Sequence, residues 1–298
     1  MIIVIVLSII FFIFIGLGCI SIAMYVGWHL SHPKKQPILD SPTSYDLKYA
    51  NIEFKSRNQP TKLKGWFIPN HSIEPANMTI IFVHGYTKNR EQDNFPFLSL
   101  AYFIVKAGYN VLLFDLRNSG ESSGDVTTLG QLEKYDVLGA IDWIQQNKKG
   151  KVGLLGVSMG AATAIQAAAE EPSVAGLIAD SPYHDLKTYL KTNLATWSNL
   201  PNFIFTPLIM NLLGPIVGIK PEEVSPIKSV DAVYPRPILF IHSVGDQSIS
   251  YTDSEKMFNK HPDHFNFWKT KCEVHVRSFQ QFPVEYTNKV ITFFNKIS

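Results

Sequence analysis

Residues 2–28 carry no Asp, Glu, Lys or Arg, and the first fully charged side chain is Lys34. About 20 consecutive apolar residues cross a hydrocarbon core, so the stretch predicts one transmembrane helix. Past a linker bearing proline and lysine the pattern changes. Residues 51–56 and 63–68 alternate like the two strands of an antiparallel hairpin. Short apolar runs then recur at 79–83, 110–115, 152–157, 174–179, 238–242 and 265–270. Between them, 97–107, 129–147, 159–170 and 252–259 have helical spacing, and 284–295 closes the chain in the same way. Strands alternating with helices need a mainly parallel sheet covered on both faces. The predicted fold is therefore α/β, with eight strands, mostly parallel.

One interval breaks the rhythm. Residues 181–237 hold no strand, and Leu208, Ile209, Leu212, Leu213 and Ile216 repeat at helical spacing. The segment is too long for a simple connection, so it is expected to form a helical cap over the C-terminal edge of the sheet. Most of its apolar side chains fit ordinary packing, and Trp197 and Phe203 are the two expected in a pocket beneath it. The organisation expected is an anchor at 1–30, a linker at 31–48 and one domain at 49–298 that includes the cap.

At 298 residues the chain suffices for one large α/β domain and an appendage. A net charge of +2, with no basic stripe and no helix-turn-helix pattern, leaves nucleic acid without a surface to bind. Cys19 lies in the apolar N-terminus and Cys272 near the other end, which is no disulfide framework, and no metal or cofactor motif is present. The N-terminal run lacks a basic n-region and an A-x-A-like cleavage site, which favours an uncleaved anchor over a signal peptide. Lys34 and Lys35 behind it lean toward a cytoplasmic domain by the positive-inside rule. Two lysines against one terminal amine leave both orientations of the expected single-pass anchor available.

The chemistry is concentrated in three loops. Gly156-Val157-Ser158-Met159-Gly160 stands between an apolar run and an alanine-rich helical stretch, the strand–turn–helix context of a nucleophile elbow. A serine hydroxyl becomes a nucleophile only when an imidazole takes its proton, and the imidazole needs a carboxylate to fix its tautomer. Asp246, in the loop Gly245-Asp246-Gln247-Ser248-Ile249 behind the strand at 238–242, is the natural acid. His275, after the last strand, is the natural base, whereas His261 and His264 precede that strand and fall at its wrong end.

In this order the motifs resemble the α/β-hydrolase superfamily, and more closely its membrane-anchored bacterial carboxylesterase-like hydrolases and peptidase-like relatives of the prolyl oligopeptidase clan. The resemblance covers roughly residues 50–298. His84-Gly85-Tyr86 matches an H-G-x oxyanion turn, Asp115-Leu116-Arg117 with Gly120 and Ser122 a D-x-R-x-x-G-x-S loop, and Gly245-Asp246 with Ile249 the acid loop. His275 with Ser278, Phe279, Tyr286 and Val290 matches the closing pattern. The resemblance implies an α/β-hydrolase fold and an acyl-enzyme on Ser158, with His275 as base and Asp246 orienting it. The backbone N–H groups of Met159 and Tyr86 would form the oxyanion hole, and no cofactor is implied. Asp115 and Arg117 are expected to pair and brace loops, with His84 and His242 structural. The expected reaction is hydrolysis of a carboxylic ester, acyl or aromatic, and the anchor brings lipid-derived esters within reach. A serine aminopeptidase, a thioesterase and an inactive binding protein on the same fold are the alternatives.

Overall fold

The computed structural model describes residues 1–70, 72 and 76–298. Helix α1 (Ile2–Ser31) leads to the hairpin β1 (Ala50–Lys55) and β2 (Lys62–Ile68). The alternation then runs β3 (Met78–Val83), α2 (Phe97–Lys106), β4 (Asn110–Phe114), α3 (Glu133–Asn147), β5 (Lys151–Val157), α4 (Met159–Glu170) and β6 (Val174–Asp180). Three helices follow without a strand: α5 (Leu186–Ser198), α6 (Asn202–Val217) and α7 (Pro226–Val233). β7 (Ile238–Ser243), α8 (Tyr251–Phe258), β8 (Asn266–Thr270), α9 (Ser278–Gln281) and α10 (Pro283–Asn295) complete the chain.

The strands form one sheet in the order β1-β2-β4-β3-β5-β6-β7-β8. Only β1 with β2 and β2 with β4 pair antiparallel; the others are parallel. Central β3, Met-Thr-Ile-Ile-Phe-Val, is buried at every position because helices cover both its faces. Its side chains alternate: Ile81 and Val83 join the apolar layer under α3 and α4, while Ile80 and Phe82 join the layer under α2 and α10.

Helix α3 begins at Glu133, four residues after the start read from its spacing. Leu129 (φ 55°) and Gly130 (φ 101°) are left-handed, and the buried Glu133 carboxylate accepts from the N–H of Thr128 and Gly130 at 2.6 and 2.7 Å. A side chain that captures those donors holds a turn where the pattern alone reads helix.

A second difference concerns α1. The helix packs its last turns on α6 instead of standing apart from the domain. Ala23, Gly27 and Ser31 are buried on one face, with Cys19, Val26 and Leu30 partly buried beside them. Its final carbonyls are also used: Leu30 O accepts from the Tyr86 hydroxyl and Ser31 O from the Thr127 N–H, both at 2.7 Å.

Candidate active site

Ser158 falls between the end of β5 and the start of α4 with φ 57° and ψ −123°. That is strained backbone for a residue with a Cβ. The flanking glycines make the turn possible: a Cβ on Gly160 would lie 2.1 Å from Val83 O, and one on Gly156 would lie 2.5 Å from Gly160 O. The Ser158 N–H is held by Asp180 O at 2.8 Å. As the first residue of α4, Met159 has an N–H with no intrahelical acceptor, so it is free for a ligand oxygen.

The loops after β7 and β8 bring the other two groups to this serine. His275 Nε2 lies 2.8 Å from Ser158 Oγ, and His275 Nδ1 lies 2.5 Å from Asp246 Oδ2. Asp246 Oδ1 accepts from the N–H groups of Ser248 and Ile249 at 2.8 and 3.0 Å. The two loops touch directly, since Ser243 Oγ donates to Cys272 O and a Cβ on Gly245 would lie 2.6 Å from that same oxygen. Val276, next to the histidine, sits at φ 53°, a genuine outlier for a β-branched residue. Burial by itself would raise the Asp246 carboxyl, but hydrogen bonds from His242 and His275, the charge of His275 and the Ile249 N–H outweigh it. Its pKa is held well below the usual carboxylate range, so it faces the imidazole as an anion.

His242 is fully buried, with Nδ1 2.8 Å from Ser254 Oγ, and Nε2 2.9 Å from Ile249 O and 3.3 Å from Asp246 Oδ2. It supports the acid loop. His84 accepts the Leu116 N–H on Nε2 at 3.0 Å, which leaves Nδ1 to donate to Gly85 O at 2.8 Å. Neither histidine is placed to take a proton from Ser158. His261 binds Asp231 and His264 binds Asp263, both at 2.9 Å. The pairing expected of Asp115 with Arg117 is replaced by two separate buried pairs, Asp115 with Arg90 and Arg117 with Asp136, each at 2.7 Å. Arg90 arrives from the loop after β3, a partner that no local spacing reveals.

A cavity of about 390 Å³ opens over Ser158. Leu186, Leu190 and Trp197 of α5 form its roof, and Leu30 of α1 and Tyr86 form one wall. Burial pushes the Tyr86 hydroxyl up to about 12, so it stays protonated and donates to Leu30 O. Phe203 is not part of the cavity: it is 82% exposed on the outer side of α6, because Phe205, Ile209 and Leu213 turn the opposite face inward. Leu30 is the lining residue that a division into anchor and domain misses.

Asp180, beside the elbow, is fully buried and accepts from Ser181 Oγ at 2.8 Å and Tyr286 Oη at 2.9 Å. Burial raises its carboxyl from 3.8 to about 6. The folded state therefore holds a proton that the unfolded chain has released, and stability falls as pH rises from 3.8 to about 6 and stays lower above that. Two pKa units correspond to roughly 3 kcal/mol at most. Asp180→Asn should melt at a higher temperature than wild type at pH 7.5, with the difference closing near pH 4. Equal melting points at both pH values would contradict this account.

The profile of the X-Pro dipeptidyl-peptidase (S15) family matches residues 28–271, a span that includes Ser158 and Asp246 and ends before His275. The uncharacterized protein YqkD of Bacillus subtilis is 31% identical over 202 residues, 66% of this chain and 64% of YqkD, so the chain spans just under two thirds of that relative. The lysophosphatidylserine lipase ABHD12 of Macaca fascicularis is 23% identical over 239 residues, 77% of this chain and 53% of the lipase. An esterase of Pyrococcus furiosus superposes with a TM-score of 0.73 at 25% identity, covering 89% of this chain and 99% of the esterase. Matched over most of its length and superposing on an α/β-hydrolase, the chain has the α/β-hydrolase fold and belongs to the X-Pro dipeptidyl-peptidase (S15) family.

Proposed function

We propose that the protein hydrolyses a carboxylic ester with an apolar acyl group, through an acyl-enzyme on Ser158. The observation that carries this reading is the single line of contacts from Ser158 through His275 to Asp246 at the floor of an apolar cavity. His275 Nε2 takes the Oγ proton as the oxygen attacks the ester carbonyl. The oxyanion that forms accepts from the N–H groups of Met159 and Tyr86, each donor worth about 3 kcal/mol of barrier. His275 then passes its proton to the leaving alcohol. Water, deprotonated by the same nitrogen, releases the acid and restores Ser158.

An aminopeptidase reading needs a carboxylate to hold the substrate amine, and among the described residues no Asp or Glu lines the cavity. The esterase and lipase relatives point the same way. Helix α1 reads as a single-pass anchor, followed by Lys34 and Lys35, and residues 49–298 as the catalytic domain with its cap at 181–237.

A fluorophosphonate probe and a series of p-nitrophenyl esters test the proposal on the full chain. The probe is expected to label wild type and spare Ser158→Ala. Trp197→Ala should change the rate on long acyl chains about tenfold relative to acetate, because an acetyl group does not reach the roof. A folded protein that the probe leaves unlabelled would sink the esterase reading. A uniform loss across all chain lengths in Trp197→Ala would assign that residue to packing alone.

A further inference from the structure

Helix α6 is an unusual piece of surface. From residue 192 to 219 the chain has no Asp, Glu, Lys, Arg or His, yet Phe203 is 82% exposed and Leu208, Met210, Leu212 and Ile216 are only partly covered. A patch of this kind on a protein in water is a site for an apolar partner. What that partner is follows from α1. Residues 2–18 stand clear of the body and are exposed throughout. At 1.5 Å per residue they measure roughly 26 Å, close to the ~30 Å of a hydrocarbon core. Tyr25 and Trp28 then lie exposed, and aromatic side chains of this kind collect at the membrane–water boundary. At this level α1 meets α6: the face formed by Ala23 and Gly27 lies against it, and a Cβ on Gly27 would come 3.6 Å from Leu213. Exposed Lys187 and Lys191 on α5 flank α6 across a shared groove, suited to lipid headgroups.

We propose that α6 rests in the surface of the same bilayer that α1 crosses, and that the substrate is a single-chain acyl amphiphile entering the Ser158 cavity from the lipid. The clause about substrate rests on the ester-hydrolase reading; the clause about α6 does not. Leu30 of α1 and Trp197 of α5 both line the cavity, so the helix that crosses the bilayer and the cap each contribute to it. An acyl chain leaving the bilayer would pass from one apolar surface to another without crossing water, while its ester stops at Ser158.

The test uses the full chain in phosphatidylcholine vesicles containing phosphatidylglycerol. An environment-sensitive fluorophore is attached at Phe203→Cys, with Val284→Cys, 73% exposed on α10, as the reference. Both are made in a Cys19→Ala, Cys272→Ala background. The label at 203 is expected to be quenched by lipids brominated in the acyl chain, and to be about fivefold less accessible to aqueous iodide than the label at 284. Equal iodide quenching at the two positions would overturn the placement of α6, whatever the activity. In the second arm, Phe203→Glu should slow hydrolysis of 1-palmitoyl lysophosphatidylcholine in the vesicles about tenfold, with p-nitrophenyl acetate turnover within about twofold of wild type. Fluorophosphonate labelling of Ser158 should persist. Unchanged hydrolysis of the lysolipid in Phe203→Glu would overturn delivery from the lipid. A wild type that the probe does not label would defeat the hydrolase reading and leave the depth measurement standing.

Discussion

His275→Ala lowers kcat on p-nitrophenyl butyrate by on the order of 10⁴-fold or more, Ser158→Ala does the same, and the double variant is no worse than either. The reason is geometric. With His275 Nε2 2.8 Å from Ser158 Oγ, the two groups form one proton-transfer unit, and a unit already disabled has nothing further to lose. The remaining rate over water would come from the oxyanion donors and binding. Steady-state kinetics on the three variants, with circular dichroism to check the fold, gives the answer. Losses that multiply in the double variant would mean that the residues act separately. A near-normal His275→Ala enzyme beside a dead His264→Ala enzyme would move the base to His264, which the structure places against Asp263.

Asp246→Asn comes next in size, with an expected fall in kcat of about 10³- to 10⁴-fold and little change in KM. The asparagine keeps the shape of the loop and can still accept from Ser248 and Ile249. What it loses is the anion 2.5 Å from His275 Nδ1, which fixes the tautomer with Nε2 as acceptor and stabilises the imidazolium. The wild-type carboxylate is already ionised far below neutral pH, so its own titration should leave no inflection in kcat/KM between pH 5 and 9. Unchanged turnover in Asp246→Asn would redirect attention to Asp180, the other buried carboxylate whose charge is felt at His275. Asp231 is engaged with Lys260 and His261 and is not free to replace Asp246.

The sheet and the loops that meet at Ser158 were legible because their signals are local. An apolar run of five or six residues between turn residues is a buried strand wherever it ends up, and glycine on both sides of Val157-Ser158-Met159 has few uses other than a tight elbow. Interactions between layers were less legible. Asp115 and Arg117 sit two residues apart and invite pairing, but each faces a partner from another element, Arg90 in one case and Asp136 in the other. Phe203 and Trp197 looked equivalent as large apolar residues in the cap, and only the rotation of α6 about its axis sends Phe203 outward. The packing of α1 did leave a trace. Ala23, Gly27 and Ser31 recur every four residues, the small-residue spacing by which helices approach closely, and the strong hydropathy of the span obscured it.

The order of the three loops along the chain bears on when hydrolysis can begin. Ser158 and Asp246 follow β5 and β7, while His275 follows β8, the strand at the sheet's far edge, with only α9 and α10 behind it. Synthesis runs from the N-terminus, so the three loops are completed in chain order. A nascent chain finished through β7 would thus possess a nucleophile and an acid with no proton acceptor between them. On the proposed roles, a polypeptide terminated before His275 is expected to be catalytically silent however much of the sheet it has built.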